Sequence, residues 1–569
     1  MKRLKRSLRQ VWEQIPFAAG LEWRVVRRRT LDQNRRYASL REQIAEWAAK
    51  TPLPDGQNGK KVFLFSTIYL WIQYAASLGL TFSGMGHQVT FAYLPYDDWF
   101  TDENDYQTDL RSYYYRTILQ PLESRVRVMP LRGVKGAVLP DQLKQQMDDL
   151  SARDYQYTRQ VEEVDRDDPL FALRRERNVR AAGIFLALLK KDRPDVVVVP
   201  NGLILEFGAL FEVAQYLGIP VVSYEFGEQR DRIWIARDQP VMYQDTREMW
   251  ALYQHQPFTR QERQQIEQLF ASRQNASLWQ QFSRQWQEVP SEGIQAVKQK
   301  VGLDDRPVVL LAANVIGDSL TLGRQVFSGT MTDWIRRTLD YFRDKPQFQF
   351  VLRIHPGERY TDGPSVEEIV RQNFKSIPAH FSIISAEDPI NTYDLVAVAD
   401  LGLTYTTTVG MEMAMSGLPV IVSGKTHYRG KGFTLDPDSW EGYFSMIGEV
   451  LDAPEQYALD ETQHTLAWHY AYRFFFNYPF PSPWHLRGIR EMMVEEGIPE
   501  VLSPAGMAKY GQMLRYLVAD LNGWEELHPL EGSLSATLGG QEMERAGRDE
   551  TNASSMVGKA KNGDHYELV

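Results

Sequence analysis

Twice along this chain, short runs of β-branched and large apolar residues alternate with longer helical stretches, and residues 250–300, rich in Gln, Arg and Glu, separate the two series. A run that is apolar throughout must be covered on both faces, which points to an interior strand of a helix-flanked parallel sheet. The first series contains KVFLFST (61–67), VTFAYLP (89–95), RVRVMPL (125–131), RPDVVVVPNG (193–202) and IPVVSYEFGE (219–228). The second contains RPVVLLAANV (306–315), FQFVLRIHP (348–356), FSIISA (381–386), YDLVAVADLGLTYT (393–406) and LPVIVSG (418–424). Two such series predict an α/β protein of two Rossmann-like lobes facing each other across a cleft.

This layout divides the chain into a basic helical segment (1–60), an N-terminal lobe (61–250), a helical connection (251–300), a C-terminal lobe (301–455), aromatic-rich helices packing across both lobes (456–530) and a tail (531–569). The tail holds few large apolar groups, so disorder is expected there. Residues 62–82 carry no charge and are long enough to cross a bilayer, but they split into a β-rich run and a polar-spotted helix before VTFAYLP. Strand, helix and strand at that spacing is a βαβ unit, not a membrane span.

With 569 residues the chain is long enough for sizeable cores, and it contains no cysteine, which excludes disulfides, thiol nucleophiles and thiolate metal sites. The net charge of −10 argues against a nucleic-acid partner. The start is different: residues 1–36 hold eleven Lys or Arg against three acids. Leu4, Leu8, Val11, Trp12 and Ile15 fall on one face of a helix over residues 1–17, which suits either an anionic membrane surface or docking on the protein's own body. This basic start lacks the continuous apolar core of a secretory signal, so a cytoplasmic protein is expected, with peripheral contact on the inner face of the plasma membrane if the helix binds lipid.

Four clusters carry candidate chemistry. In FVLRIHPGE, Arg353 and His355 are expected on the same side of a strand's carboxyl end, with Pro356 ending the ladder and Glu358 following. A guanidinium fork and an imidazole N–H suit a phosphate, although a lone His-Pro is as often structural. In LGLTYTTTVGMEMAMSG, Thr406, Thr407 and Thr408 precede a helix opened by Gly410, a grouping of hydroxyls and free amides that either binds an anion or merely caps the helix; Glu412 is placed to accept from a ribose. In GKTHYRGKGFTLDP, glycines space Lys425, His427, Arg429 and Lys431, a pattern for a basic loop closing over a charged ligand or for a plain solvated loop. Finally Asn314, Asp318 and Ser319 follow the second lobe's first strand, while Asn201, Glu206, Glu225 and Glu228 stand at strand ends of the first. Asp318, Glu225 or Glu228 is a candidate general base, and Asn201 and Glu206 face the acceptor side.

The order NVIGDS, RIHPGE, TYTTTVGMEMAMSGLPVIVSG and HYRGKGFT, over residues 307–438, resembles the bacterial capsule polysaccharide biosynthesis family, which includes Kdo transferases of capsule export systems. The N-terminal lobe is similar in layout only. The resemblance implies a GT-B-type fold and a glycosyltransferase that moves a sugar from a nucleotide-activated donor, a CMP-sugar in known relatives, to a surface glycan or lipid-linked acceptor. It implies that His355 and Pro356 contact the donor phosphate, that Thr406–Thr408 form the hydroxyl motif and that Glu412 is the acid of the following helix. Where retaining transferases of the common type carry two glutamates eight positions apart, this chain has Thr404 and Glu412. No cofactor and no metal are expected, since the candidates include no Asp-x-Asp pair and His355, Arg353, Lys425, Arg429 and Lys431 offer positive donors instead. Two rivals share this pattern: a CDP-polyol phosphotransferase, and a non-catalytic sugar-nucleotide-binding protein of a polysaccharide assembly machine. A nucleotide-sugar epimerase is a third.

Overall fold

In the computed structural model, the described residues are 11–524 apart from 16, 26–34, 55, 57–58, 279, 281–288, 362 and 522. Most of the basic start and the whole 531–569 tail lie outside them, as do the expectations of a membrane-binding face and of disorder. The described part of the start docks on the body: Trp12 packs with Ala18, Ala19, Tyr106 and Tyr113, and its indole N–H donates to Glu22 at 3.2 Å.

The first lobe is built on strands β1 (Lys61–Thr67), β2 (Gln88–Leu94), β3 (Arg127–Pro130), β4 (Val196–Pro200), β5 (Val221–Glu225) and β6 (Arg232–Arg237). The second holds β7 (Val308–Ala312), β8 (Gln349–Arg353), β9 (Phe381–Ile384), β10 (Leu401–Thr404) and β11 (Val420–Val422), and β12 (Phe480–Pro481) follows. Two sheets result, ordered β12-β6-β5-β4-β1-β2-β3 and β11-β10-β7-β8-β9. Strands β1 to β5 are mutually parallel, as is the whole second sheet. The runs that are apolar throughout became the central strands: β4, β5, β7 and β8 are buried at every residue.

The βαβ unit forms as its pattern demands, with the helix Tyr69–Gly84 between β1 and β2 and Lys61 in register with Gln88. Among the described residues no helix is long and apolar enough to cross a membrane. Two strands had no clear sequence signal. β6 alternates in burial and runs antiparallel to β5, and the two-residue β12 pairs antiparallel with β6 through Phe480 and Ile233. A segment from beyond the second lobe thereby extends the first lobe's sheet.

One continuous core joins the first sheet, the C-terminal helices and one face of the second sheet, while Trp334, Phe350, Tyr405 and Tyr443 form a separate core on the other face. The helix Glu461–Tyr472 carries His464, which bonds the Met415 carbonyl at 2.7 Å, and Tyr470, which shares a hydrogen bond with Thr246 at 2.7 Å. The two lobes thus meet over a shared rear wall of C-terminal helices, with the carboxyl ends of the parallel strands facing the opening.

Candidate active site

β4 and β5 stop side by side, and their ends build a buried carboxylate. Asn201 follows β4 in the left-handed region (φ 57°), and its backbone N–H donates to the Tyr224 carbonyl at 2.8 Å. Its side-chain amide then reaches Glu225, the last residue of β5, at 2.9 Å, and the Phe226 N–H reaches the other carboxylate oxygen at 3.0 Å. Those two donors do not offset burial, which pushes the Glu225 carboxyl up to about 7.

This carboxyl opens into a pocket lined by Tyr157, Asn201, Leu203, Ile204 and Met242 of the first lobe and Ser319 of the second. A contiguous apolar recess is walled by Ile68, Trp71, Trp99, Leu205 and Phe207. Backbone strain gathers here: Ile68 sits at φ 62° directly after β1 and Leu205 at φ 58° after β4, conformations that branched and bulky residues adopt only when the surroundings enforce them. Asp318 of the second lobe accepts from the Ser319 hydroxyl at 3.1 Å and the Leu320 N–H at 3.0 Å. Burial chiefly, and then the charges of Asp318 and Glu225, hold the Tyr157 hydroxyl far above its ordinary range, so three acidic groups from both lobes stand together. Tyr157 lies on a charged helix, Asp141–Arg159, where nothing in the sequence distinguished it.

The other two first-lobe carboxylates are committed elsewhere. Glu206 is fully buried and accepts from Arg174 at 3.0 Å, and Arg174 also pairs with Asp154 at 3.2 Å. It braces the lobe's interior and does not face an acceptor. Glu228 lies 3.6 Å from the Arg273 guanidinium, at the inter-lobe connection, apart from the pocket lining.

In the second lobe, β7 lies between β8 and β10, so the extensions of those two strands stand two strand spacings apart, about 10 Å. Asn314, just past β7, fills the interval and accepts from the Thr406 N–H at 3.2 Å and its hydroxyl at 3.3 Å. His355 is half-buried on the far side, its Nδ1 accepting from the Gly357 N–H at 3.0 Å. The strand-tip pairing of Arg353 with His355 does not form. Arg353 turns inward, donating to the Ser385 carbonyl at 2.6 Å and to Thr392 at 3.4 Å, and burial lowers its pKa to about 10. Glu358 also turns inward, accepting from the Val366 N–H at 3.1 Å, with its carboxyl pushed up by burial to about 7. Glu412 is likewise withheld from a ribose: it is buried in a close ion pair with Arg273 and accepts from the Tyr393 hydroxyl at 2.9 Å. Thr407 and Thr408 remain half-buried at the head of the helix Val409–Met415, and Tyr428 donates to the Thr407 carbonyl at 2.7 Å.

The glycine-spaced basic loop is pinned down. Arg429 binds the Val422 and Pro437 carbonyls of its own surroundings. His427 is buried, stacked 3.7 Å from the Phe474 ring, and burial holds it neutral, its pKa well below the ordinary value. Lys431 is half-buried near Tyr470, and Lys425 alone of the four projects into solvent, its backbone N–H bonding the Arg324 carbonyl at 2.8 Å. Arg324 spans the lobes, donating to the Met242 carbonyl and, at 3.1 Å, to that of Tyr243. Among the described residues no set of His, Asp and Glu gathers to hold a metal ion.

No family model matches the chain, and no curated protein does. Among solved structures it is similar to the β-Kdo 2,4 transferase KpsC of Thermosulfurimonas dismutans, at 18% identity over 48% of this chain and 78% of that one (TM-score 0.33). It is similar to the β-Kdo 2,7 transferase KpsC of the same organism, at 14% identity over 52% and 82% (TM-score 0.31). It is also similar to the UDP-GlcNAc 2-epimerase of Neisseria meningitidis bound to UDP-GlcNAc, at 14% identity over 77% and 100% (TM-score 0.23).

Proposed function

We propose that this protein is a glycosyltransferase that moves a sugar from a nucleotide-activated donor, a CMP-sugar by preference, to a glycan or lipid-linked acceptor. The single observation that carries the proposal is Glu225: a carboxylate with a pKa near neutrality, in a pocket to which both lobes contribute. A general base works best when its pKa lies near the operating pH. In this scheme the acceptor hydroxyl donates to Glu225, loses its proton as its oxygen attacks the anomeric carbon, and the nucleotide departs with the bonding electrons. Asn201 orients the carboxylate. The leaving phosphate lies against the second lobe's strand ends, where His355, the Asn314–Thr406 pair, Thr407, Thr408 and Lys425 supply donors; Pro356 fixes the turn that carries the imidazole.

On this reading residues 61–250 form the acceptor lobe, 301–455 the donor lobe, and the helices between Glu461 and Leu517 hold the two in register.

Titrating the purified protein with CMP, UDP, GDP and CDP, and then weighing acceptor products by mass spectrometry, tests the proposal. CMP binding and an acceptor heavier by one sugar residue are expected. A phosphopolyol increment, donor conversion without acceptor, or no nucleotide binding each overturns it.

A further inference from the structure

The stretch from Val11 to Val25 has one face that the body holds and one that no described residue covers. The held face is built closely. Trp12 and Tyr106 both donate to the Glu22 carboxylate, the indole at 3.2 Å, and the Asn104 amide donates to Glu13 at 3.2 Å. In the helix Ala18–Val25, Ala18 and Ala19 are buried, and Trp23 stacks on Tyr113 and meets Tyr114 edge-on at 4.8 Å. Gly20 lets this helix lie on the helix Asp105–Leu119, since a Cβ there would stand 2.8 Å from the Tyr113 hydroxyl.

The other face is apolar and open. Val11, Ile15, Phe17, Leu21 and Val25 are all exposed, Phe17 at 91%. Phe17 also makes the turn into the helix at φ 66°, a conformation that a bulky residue holds only under constraint. An aromatic ring held under strain in water serves no packing purpose among the described residues. The charges complete the face. Glu13 and Glu22 are turned to the body by the bonds above, while Arg24 is exposed. The sequence on either side is basic, with five Lys or Arg in residues 1–10 and three Arg at 27–29, in a chain whose net charge is −10.

We propose that this face docks on an anionic phospholipid surface, with Phe17, Leu21 and Val25 entering the boundary between headgroups and acyl chains and the flanking Lys and Arg meeting lipid phosphates. An exposed apolar stripe in a basic setting combines the two attractions that hold a protein at such an interface. A ring that is 91% exposed projects from the body with no pocket wall beside it, which suits a fluid boundary better than a shaped protein groove. Asn104, which holds Glu13, ends the loop that follows β2, on the side of the first sheet where the carboxyl ends of the parallel strands face the opening. Docking therefore brings this rim of the first lobe to the lipid, and a lipid-linked acceptor would approach Glu225 from that surface. This last consequence rests on the transferase reading; the docking itself does not.

The test uses the full chain and co-sedimentation with vesicles of phosphatidylcholine alone or mixed with phosphatidylglycerol, without donor or acceptor. Wild type is expected to bind the anionic vesicles about tenfold or more tightly than the neutral ones. Joint replacement Phe17→Ser and Leu21→Ser should weaken that binding about tenfold or more with Tm unchanged, whereas Val494→Ser, at an exposed apolar side chain elsewhere, should leave it intact. Because the chain has no cysteine, an environment-sensitive fluorophore on Phe17→Cys reports that position alone. Its emission should shift to the blue on anionic vesicles, and the same label on Val494→Cys should not shift. Equal binding to neutral vesicles, no binding to either, full binding by the double variant or an unshifted label at position 17 overturns the proposal. So does self-association in vesicle-free solution that the double replacement abolishes, which would make a second copy the occupant. Vesicle binding without CMP binding leaves this inference standing and removes the transferase reading; CMP binding without vesicle binding does the reverse.

Discussion

Glu162, just beyond the helix that carries Tyr157, accepts the backbone N–H of Met331 at 2.7 Å and that of Thr332 at 3.0 Å, so a first-lobe carboxylate caps the first turn of the second-lobe helix Met331–Phe342. Two glycines let the backbones meet beside it. A Cβ on Gly317 would stand 2.4 Å from the Val161 nitrogen, and one on Gly363 2.3 Å from the Gln160 carbonyl oxygen. Gly317 also adopts φ 72°. This latch ties the segment before Asp318 and Ser319, the latter lining the Glu225 pocket, to the first lobe, and it sets a carboxylate at a helix N-terminus.

Glu162→Ala is therefore expected to loosen closure without unfolding either lobe. Hydrogen bonds to a charged group are worth about 1.5–3 kcal/mol, enough to shift a closed population roughly ten- to hundredfold. Small-angle scattering should show a larger radius of gyration, and kcat/KM should fall by about tenfold or more. An unchanged scattering profile with unchanged turnover would show that the latch is incidental.

Glu412 and Arg273 are both buried, and removal of one partner from such a pair costs about 3–5 kcal/mol. Glu412→Gln should accordingly lower Tm by several degrees while CMP affinity at permissive temperature stays within about twofold. The opposite result, a stable protein with weakened nucleotide binding, would return Glu412 to the ribose.

The contrast shows what a sequence discloses and what it hides. Interior strands were legible because β4 and β7 must be apolar on both faces, and this fixes the lobes and the ends where ligands gather. Glu225 and Asn201 were legible as strand-end residues for the same reason. Glu412 was misread because the group that occupies it, Arg273, lies 139 residues away. Arg353 was misread because alternation gives the side of a strand but not its neighbours: β9, next in the sheet, places the Ser385 carbonyl where the guanidinium binds. β12 is two residues long and exists only because β6 offers an edge.

His355 offers a cleaner probe of the donor side, being half-buried and bonded by Nδ1 to its own turn at Gly357. Loss of one preorganised donor to a developing charge lowers kcat by roughly 10²–10³. His355→Ala should do this with Tm nearly unchanged. Gly357→Ala should reproduce part of the loss, because its Cβ would stand 2.9 Å from the imidazole Nδ1 and displace the ring. Full turnover in both variants would remove His355 from the mechanism.

Glu225 couples activity to stability in opposite directions. In the folded protein it keeps its proton up to about pH 7, whereas its ordinary value is 4.5. Unfolding between those values releases a proton, so this residue makes the protein less stable as pH rises from about 4.5 to 7, by roughly 3 kcal/mol in all. Catalysis runs the other way, because only the ionised form accepts the hydroxyl proton, and kcat/KM should rise through pH 7 and then level. Glu225→Gln keeps the shape and cannot ionise, but its amide has one acceptor where the carboxylate has two, so its NH2 opposes either the Asn201 amide or the Phe226 N–H. Its Tm relative to wild type should therefore be more favourable at pH 8 than at pH 5, and its kcat should fall at least a hundredfold at pH 8 and far less at pH 5, where the wild-type carboxyl is already protonated. A variant whose Tm relative to wild type does not improve between pH 5 and pH 8, or that keeps a rate rising through pH 7, would place the base elsewhere, with Asp318 the next group to replace.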